Sequence, residues 1–186
     1  MTPLAVHITG ASGSGVTTLG RALAEATGAV QLDTDDFYWA PVKPKFSEKR
    51  APEESIRLLR EAMAAAGARG WILSGSIGAW GEPLVPLFNL VVFMNAPAEV
   101  RVARLKVREE AEFGAAAIAP GGPRHEEYAA FIEWAAQYEA GKREGRSRML
   151  HEAFLARLTC PVLRLDGTRP TAELLAQVLE ALKARR

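Results

Sequence analysis

A glycine-rich segment near the start of the chain has the residue types and spacing of a phosphate-binding loop. Residues 10–18 place glycine at positions 10, 13 and 15 and threonine at 17 and 18, which fits G-x-x-x-x-G-K-[ST] at all but one position. Glycines in such a loop let successive backbone N–H groups turn toward an anion. The sequence therefore predicts a loop that binds the phosphates of a nucleotide. The residues expected to contact the nucleotide here are Gly10, Ser12, Gly13, Ser14, Gly15, Val16, Thr17 and Thr18.

The exception in this motif is Val16, which stands where the pattern has lysine. That lysine normally spans the β- and γ-phosphates and neutralises charge during transfer. Loss of one donor of that kind costs about 3–4 kcal/mol, or about 10²–10³ in rate. Either another cation takes over the role, or the protein binds nucleotide and turns it over poorly. Thr17 keeps its expected role as a Mg²⁺ ligand.

Three of the four aspartates of the chain lie together, at positions 33, 35 and 36. They follow a short apolar run that we predict as a strand, and ligands gather at the carboxyl ends of parallel strands. One carboxylate there can hold Mg²⁺, directly or through water, and another can accept a proton from an attacking hydroxyl. Asp33, Asp35 and Asp36 are therefore candidate catalytic residues. As an alternative, one of them serves only to cap a helix.

The apolar periodicity predicts short strands that alternate with helices. The predicted strands are 4–9, 29–32, 71–73, 89–94 and 162–165. The predicted helices are 16–27, 53–66, 97–113, 124–140, 148–158 and 171 to the C-terminus, the last of them capped by Thr171. Residues 39–51 are predicted as a connection and 114–122 as a flexible segment. This alternation predicts an α/β fold with a parallel sheet covered on both faces.

Length and charge narrow the function classes. The 186 residues and the net charge of +1 predict one domain over 1–186 without a general nucleic-acid or membrane partner. No apolar run approaches the ~18 residues of a membrane span, and the early phosphate loop argues against a signal peptide. The single cysteine, Cys160, excludes a disulfide within the chain and is predicted as a small apolar residue. We therefore expect a cytoplasmic protein.

Residues 10–18 and 32–38 resemble the adenylate-kinase-like branch of P-loop kinases, which includes nucleoside monophosphate, shikimate, gluconate and uridine kinases. The resemblance implies a three-layer α/β fold with a five-stranded parallel sheet in the order 2-3-1-4-5. It implies ATP and Mg²⁺ as cofactors, and a nucleotide and a small-molecule phosphate acceptor as partners. It also implies a substrate-binding region at about 34–66 and a helical lid at about 109–147.

The resemblance assigns the acidic cluster in two competing ways. Asp33 and Asp35 match the D-x-D of shikimate-type kinases, in which the first aspartate lies near Mg²⁺ and the second contacts the substrate. Asp36 begins a match to the D-x-F-Y of uridine-type kinases, in which the aspartate is the base. Which aspartate is the base stays open at this point. The third strand ends in Ser74, at a position where many relatives have an acidic residue. We therefore expect Mg²⁺ binding to depend more on Thr17 and Asp33.

The resemblance also implies roles for two groups of arginines. Arg101, Arg104 and Arg108 share one helical face by their spacing and match the basic helix that leads into the lid. There, one arginine often packs on adenine and another reaches phosphate, and we expect Arg104 and Arg108 to bind nucleotide. Arg146 and Arg148 match arginines that return from the lid toward the γ-phosphate and are candidate catalytic residues. A solvated helix face is the alternative for the first group.

Two further segments complete the expected site. Residues 167–170 match the loop that flanks adenine. Lys43, Lys45 and Lys49 follow the acidic cluster and are the nearest cations in the sequence that could replace the missing lysine. Two functions remain in competition: a small-molecule kinase that uses Mg²⁺ and ATP, and a nucleotide-binding protein with little or no turnover that serves as a sensor or partner-binding module.

Overall fold

The computed structural model describes residues 3–43, 45–141 and 145–184. The five strands of this structure are β1 (Ala5–Gly10), β2 (Val30–Asp33), β3 (Trp71–Ser74), β4 (Leu90–Asn95) and β5 (Val162–Asp166). They form one sheet in the order β2-β3-β1-β4-β5, and every neighbouring pair is parallel. The predicted α/β fold and its strand order are confirmed.

Helices follow the strands in alternation. The α-helices are α1 (Val16–Thr27), α2 (Thr34–Tyr38), α3 (Pro52–Ala66), α4 (Ala98–Phe113), α5 (Ala115–Ile118), α6 (His125–Ala136), α7 (Arg148–Ala156) and α8 (Thr171–Lys183). Short 3-10 helices at Gly67–Arg69 and Glu82–Leu87 flank β3. Among the described residues, none of the helices is long and apolar enough to cross a membrane.

The apolar side chains pack on both faces of the sheet. Ile8 of β1 lies in one cluster with Leu19 of α1 and Leu174 of α8. Phe93 of β4 lies in a second cluster with Leu59 of α3, together with residues of α7. Alternate residues of each central strand point to opposite faces and both faces are covered, so these strands are buried on both sides and mostly apolar. This packing fixes the strand ends, and the strand ends position the loops of the site.

Strand register places the chemically active segments at one edge of the sheet. Gly10 at the end of β1 lies opposite Met94 of β4, and Asp33 at the end of β2 lies opposite Ser74 of β3. Because all five strands run in the same direction, their carboxyl ends meet at this edge. The phosphate-binding loop and the acidic cluster therefore lie side by side, as the sequence predicts.

Some local predictions differ from the structure. Asp35 and Asp36 lie in the short helix α2, which is capped by Asp33 and which the sequence suggested only through the capping alternative. The predicted cap of α8 by Thr171 is wrong, because Pro170 holds the capping position and Thr171 is the first helical residue. The segment predicted as flexible contains α5, and α6 and α7 end earlier than predicted. Lys142 and Arg143 of the expected lid lie outside the described residues.

Candidate functional site

The phosphate-binding loop depends on glycine at positions where no side chain fits. Gly13 and Gly15 have φ angles of +83° and +95°, which side chains of L-residues rarely allow. A Cβ at Gly13 would lie 2.5 Å from the carbonyl oxygen of Arg101, and one at Gly10 would lie 2.4 Å from that of Met94. The loop is therefore packed tightly against β4 and α4, and its backbone shape is fixed by its surroundings.

The loop continues directly into the N-terminus of α1. The first backbone hydrogen bond of this helix runs from Leu19 N to Gly15 O at 3.0 Å, and no side chain caps the helix. The amide N–H groups of residues 16–18 therefore have no acceptor within the helix. Their combined partial charge favours an anion at this position. The geometry fits the phosphate groups of a nucleotide.

Val16 does not contribute a polar group to this loop. Its side chain is 9% exposed and packs in the apolar cluster that includes Ile8 and Leu19. A cation for the phosphates must therefore come from another part of the chain or from the solvent.

Thr17 and Asp33 join the loop to the acidic cluster. The Thr17 hydroxyl donates a hydrogen bond to Asp33 Oδ2 at 3.1 Å, and Asp33 Oδ1 accepts one from Asp35 N at 3.1 Å. The second contact makes Asp33 the N-cap of α2, which is the capping role that the sequence offered as an alternative. A hydroxyl and a carboxylate are oxygen ligands of the kind that Mg²⁺ prefers.

This donor set is small. In the described parts of the chain, no group of three or more His, Cys, Asp or Glu side chains could hold a metal ion. Mg²⁺ commonly binds through one or two protein ligands together with phosphate oxygens and water. Thr17 and Asp33 beside the phosphate-binding loop fit this mode of binding, in which the nucleotide itself supplies part of the coordination shell.

The carboxylates of α2 affect each other. Desolvation raises the pKa of Asp35, the negative charges of Asp33 and Asp36 raise it further, and the positive charges of Arg146 and Arg108 lower it. The pKa of Asp35 is therefore higher than that of an ordinary aspartate. This is the direction that suits a general base.

Arg146 reaches the phosphate-binding loop from the segment after α6. Its Nη1 donates a hydrogen bond to Ser12 Oγ at 3.2 Å, and its guanidinium lies 6.0 Å from the ring centroid of Trp134. Burial lowers the pKa of Arg146, while the charge of Asp35 opposes that shift. Arg146 therefore places a cation between the loop and the acidic cluster.

Arg104 contacts other backbone groups at and near the loop. Its Nη1 donates to Gly167 O at 2.8 Å and approaches Gly13 O at 3.5 Å. A cavity of about 220 Å³ opens beside it, between the start of α1 and the start of α8. The residues that line this cavity are Ser14, Gly15, Thr18, Leu19, Met94, Arg104, Gly167, Arg169, Thr171 and Leu174. The cavity adjoins the loop that the sequence matched to an adenine-flanking loop.

Two further predicted arginines, Arg108 and Arg148, occupy different positions. Arg108 forms an ion pair with Glu109 at 2.8 Å, and its guanidinium lies 5.6 Å from the Phe131 ring centroid. Arg148 donates to Asn95 Oδ1 at 3.3 Å, at the end of β4 rather than at the phosphate-binding loop. It lines a second cavity, of about 260 Å³, with Arg164 and four other residues of β4 and β5.

Arg101 has a structural position that its spacing did not reveal. Its side chain is fully buried and forms a bidentate ion pair with Glu139 at 2.7 and 2.8 Å. It also donates to Ala96 O at 3.0 Å, to Ala135 O at 3.2 Å and to Ser12 O at 3.3 Å. Arg101 therefore ties the phosphate-binding loop to α6. A buried arginine can be inferred from sequence only when its acceptors are known, and here they come from distant segments.

The lysines that follow the acidic cluster have contacts away from the loop. Lys45 forms an ion pair with Glu112 at 2.8 Å. Lys49 lies 5.7 Å from the ring centroid of Tyr38 and 5.9 Å from that of Trp39. Lys43 is exposed. The contacts of Lys45 and Lys49 therefore lie away from the loop, whereas Arg146 donates a hydrogen bond to Ser12 of the loop.

A protein of Bacillus subtilis (strain 168), the uncharacterized protein YqaC, is 40% identical to this chain over 179 residues, which are 96% of this chain and 97% of YqaC. The chain belongs to the YqaC family. No protein-family model matches it. Among solved structures, an unliganded sugar kinase from Janibacter sp. HTCC2649 is 21% identical to this chain and superposes on it with a TM-score of 0.54. The match covers 98% of this chain and 95% of the sugar kinase chain.

A second solved structure has the same arrangement of elements. The shikimate kinase of Acinetobacter baumannii, in complex with shikimate, is 15% identical to this chain and superposes on it with a TM-score of 0.56. The match covers the whole of this chain and 96% of the shikimate kinase chain. This YqaC-family chain therefore has the fold of small-molecule P-loop kinases. At these identities the likeness concerns the fold, and the activity must be argued from the site.

Proposed function

We propose that the protein is a small-molecule kinase that transfers the γ-phosphoryl group of Mg²⁺-bound ATP to a hydroxyl of a small acceptor. The observation that carries this proposal is the position of three different groups around one phosphate-binding loop. The Thr17–Asp33 pair lies at the start of α1, the acidic helix α2 begins beside it, and Arg146 contacts the loop at Ser12. Phosphoryl transfer needs a metal site, a base and a cation in this arrangement.

The nucleotide would bind across the loop. The N–H groups at the start of α1 would receive its phosphates, and the cavity beside Arg104 and Gly167 would receive its base and ribose. Mg²⁺ would be held by Thr17, with Asp33 as a direct or water-mediated partner. When bound, the ion would neutralise phosphate charge and orient the terminal phosphate.

Asp35 is the best placed candidate for the base. Asp33 already accepts hydrogen bonds from Thr17 and from the backbone of α2, whereas the pKa of Asp35 is raised. In the transfer step, the acceptor oxygen forms a bond to the γ-phosphorus, and the bond from that phosphorus to the β–γ bridging oxygen breaks. The hydroxyl proton passes to the Asp35 carboxylate, and ADP leaves.

Arg146 would provide the charge that Val16 does not. Its guanidinium lies at the phosphate-binding loop and faces the carboxylates of α2, so it can meet the γ-phosphate and the negative charge that develops on it. Arg108 and Arg148 would assist from α4 and from the start of α7. Residues 109–147 would act as the lid that brings Arg146 into place. The proposal also places the protein in the cytoplasm, where ATP is available.

The test begins with nucleotide binding. We expect ATP to bind with micromolar affinity in calorimetry, more tightly with Mg²⁺ than without it, and ³¹P NMR with an acceptor panel to show ADP and a new phosphate ester. Turnover in the range usual for kinases, about 1–100 s⁻¹, would establish the activity. Absence of ATP binding up to millimolar concentration would overturn the proposal.

A second function is favoured by one observation, the apolar burial of Val16 in place of the lysine. Under this alternative the protein binds Mg²⁺ and ATP and acts as a sensor or partner-binding module with little turnover. Tight ATP binding without any phosphorylated product across the acceptor panel would favour this function over the kinase.

A further inference from the structure

Two aromatic side chains of α6 stack on each other at the surface of this helix. Phe131 and Trp134 are three positions apart and therefore share one helical face. Their ring centroids are 6.1 Å apart with an interplanar angle of 23°, and both residues are half-buried. Among the described residues, the apolar clusters on the two faces of the sheet include neither ring. We call Phe131 and Trp134 the ring pair, and the packing of the sheet does not account for it.

Each ring of the pair meets a guanidinium from a different segment. The Arg108 guanidinium of α4 lies 5.6 Å from the Phe131 ring centroid, and the Arg146 guanidinium lies 6.0 Å from that of Trp134. A cation within about 6 Å of a ring centroid is attracted to the ring face, and a planar guanidinium also stacks on it. The four side chains therefore form a row with one cation at each end.

Both cations of this row act on the proposed transfer site. Arg146 Nη1 donates a hydrogen bond to Ser12 Oγ of the phosphate-binding loop at 3.2 Å. Burial and the charge of Asp33 raise the pKa of Asp35, and the charges of Arg146 and Arg108 lower it. The two arginines that contact the ring pair are therefore also close enough to influence the proposed base.

The helix that carries the ring pair is itself tied to the phosphate-binding loop. The buried Arg101 guanidinium donates to Ala135 O of α6 at 3.2 Å and to Ser12 O of the loop at 3.3 Å. Arg101 also forms an ion pair with Glu139, which follows the helix, at 2.7 Å. Because Ala135 directly follows Trp134, this bridge holds the ring pair at a fixed place relative to the loop.

A ring face suits the task of holding a catalytic arginine. Ordering a long side chain costs conformational entropy, and a cation stabilises transferred charge best when its position is fixed before the reaction. The side chain of Arg108 is 58% exposed and also pairs with Glu109, so a further contact restricts its positions. Unlike a carboxylate, a neutral ring restrains a guanidinium without cancelling its charge, which stays available for phosphate.

We propose that the ring pair positions Arg146 and Arg108 for the γ-phosphate of the bound nucleotide. Phe131 and Trp134 are then positioning residues for phosphoryl transfer, and α6 is the element that holds both cations. This inference rests on the proposed kinase function.

The first test measures nucleotide binding and needs no acceptor. Calorimetric titrations with ATP and with ADP, both with Mg²⁺, give two Kd values whose ratio reports contacts with the γ-phosphate. Trp134→Leu keeps an apolar side chain but removes the ring face. We expect it to weaken ATP binding about 3–30-fold while the Kd for ADP stays within about twofold. Trp134→Phe retains a ring and should restore most of the wild-type ratio.

Three further variants show whether the effect passes through the arginines. Trp134→Leu in an Arg146→Ala background should change the ratio little, because the group that the ring holds is already missing. Phe131→Leu should act in the same direction with a smaller effect, and it carries the test if Trp134→Leu does not fold. Tyr128→Ala removes a ring of α6 that has no ring or cation contact among the described residues, and should leave the ratio unchanged.

The outcomes separate this inference from the proposed function. An unchanged ratio in Trp134→Leu and Phe131→Leu, or an equal loss of ATP and ADP affinity, would overturn the inference and leave the kinase function standing. The same follows if Trp134→Leu has its full effect in the Arg146→Ala background. A changed ratio, together with no phosphorylated product from the wild type across the acceptor panel, would overturn the kinase function and limit the ring pair to a role in ATP binding.

Discussion

Thr17 Oγ1 donates a hydrogen bond to Asp33 Oδ2 across 3.1 Å, and this contact joins the phosphate-binding loop to the acidic cluster. The two residues are 16 positions apart and meet because β1 and β2 end at the same edge of the sheet. Since Asp33 also caps α2, one side chain orients both the proposed metal site and the proposed base.

The first prediction concerns the metal role of Asp33. Asp33→Asn keeps a side chain that caps helices well but removes the negative charge. In the wild type we expect Mg²⁺ to raise the affinity for ATP. In the folded variant this increase should be about 10–100-fold smaller, because a partner of the metal ion is lost. Calorimetric titrations of ATP with and without Mg²⁺ measure this effect. If Mg²⁺ strengthens ATP binding equally in the variant and the wild type, Asp33 has no metal role.

The second prediction assigns the base. A general base acts in its deprotonated form, so the rate should rise with pH through the raised pKa of Asp35. Asp35→Asn is expected to lower kcat/KM by about 10²–10⁴ and to remove this acid limb from the pH–rate profile. Asp36→Asn is the matched comparison, and it should keep the limb. Loss of the limb in Asp36→Asn instead would transfer the base role to Asp36.

The third prediction concerns the cation at the loop. Arg146→Ala is expected to lower kcat by about 10²–10³ because a preorganised donor near the γ-phosphate is lost. Arg57→Ala removes an arginine from the exposed side of α3, where it pairs with Glu61, and serves as the matched control with unchanged turnover. Single-turnover measurements separate chemistry from product release. Equal rates in the wild type and Arg146→Ala would show that Arg146 does not replace the lysine.

Val16→Lys provides the reciprocal test of this assignment. The lysine would replace a valine that packs in the apolar core. Because burying a charged side chain there is unfavourable, we expect a lower Tm. We expect no gain in turnover, because under the proposed function Arg146 supplies the cation. A large gain would mean that the wild-type site is degraded rather than rebuilt, which would favour the nucleotide-binding function.

The order of elements follows from the sequence because it depends on local patterns. Short apolar runs that alternate with amphipathic helices allow few arrangements other than a parallel sheet covered on both faces. Glycine at 10, 13 and 15 predicts the loop for an equally local reason, since the φ angles at Gly13 and Gly15 require it. That Thr17 and the acidic cluster lie at the same edge follows from the common direction of the strands, while their contact depends also on the strand order, which the family resemblance implied.

The functions of individual arginines do not follow from such patterns. The spacing places three arginines of α4, Arg101, Arg104 and Arg108, on one helical face. In the structure, however, Arg101 is buried and forms an ion pair with Glu139, whereas Arg104 donates to Gly167 O and Arg108 forms an ion pair with Glu109. Likewise, Arg146 and Arg148 differ by two positions but contact Ser12 and Asn95 respectively. These outcomes depend on acceptors supplied by segments far away in the sequence, and no local pattern contains them.

The fourth prediction concerns Arg101 as a structural anchor. Its guanidinium is fully buried, with the Glu139 carboxylate as ionic partner and three backbone carbonyls as further acceptors. Arg101→Ala should lower the free energy of unfolding by about 3–5 kcal/mol, as expected when one partner of a buried pair is removed. Chemical denaturation measures it.

Glu139→Gln tests the same ion pair from its other side. It leaves the fully buried Arg101 guanidinium without a counter-charge while keeping an amide oxygen as acceptor, so we expect a loss of stability in this variant too. Arg101→Ala should also weaken ATP binding, because Ser12 of the loop loses its backbone contact. A loss of stability below about 1 kcal/mol, the range of an exposed ion pair, would contradict the anchoring role.

The last prediction concerns His7, which lies fully buried in β1. Its Nδ1 lies 3.1 Å from Leu73 O, and its ring stacks on Phe88 with centroids 4.8 Å apart. Its Nε2 has no hydrogen-bond partner among the described residues. Burial lowers the pKa of His7 from 6.5 to about 4, against a smaller opposing effect of the Leu73 carbonyl.

The lowered pKa of His7 makes stability depend on pH in a definite direction. Between about pH 6.5 and 4 the unfolded chain binds a proton at His7 that the folded chain does not, so stability is present above this window and falls as the pH decreases through it. A shift from 6.5 to about 4 corresponds to a loss of about 3 kcal/mol across the window. Urea denaturation at several pH values measures the loss. His7→Leu, which cannot titrate, should remove that part of the pH dependence whatever its stability at neutral pH, and an identical pH slope in the two proteins would show that His7 titrates normally in the folded state.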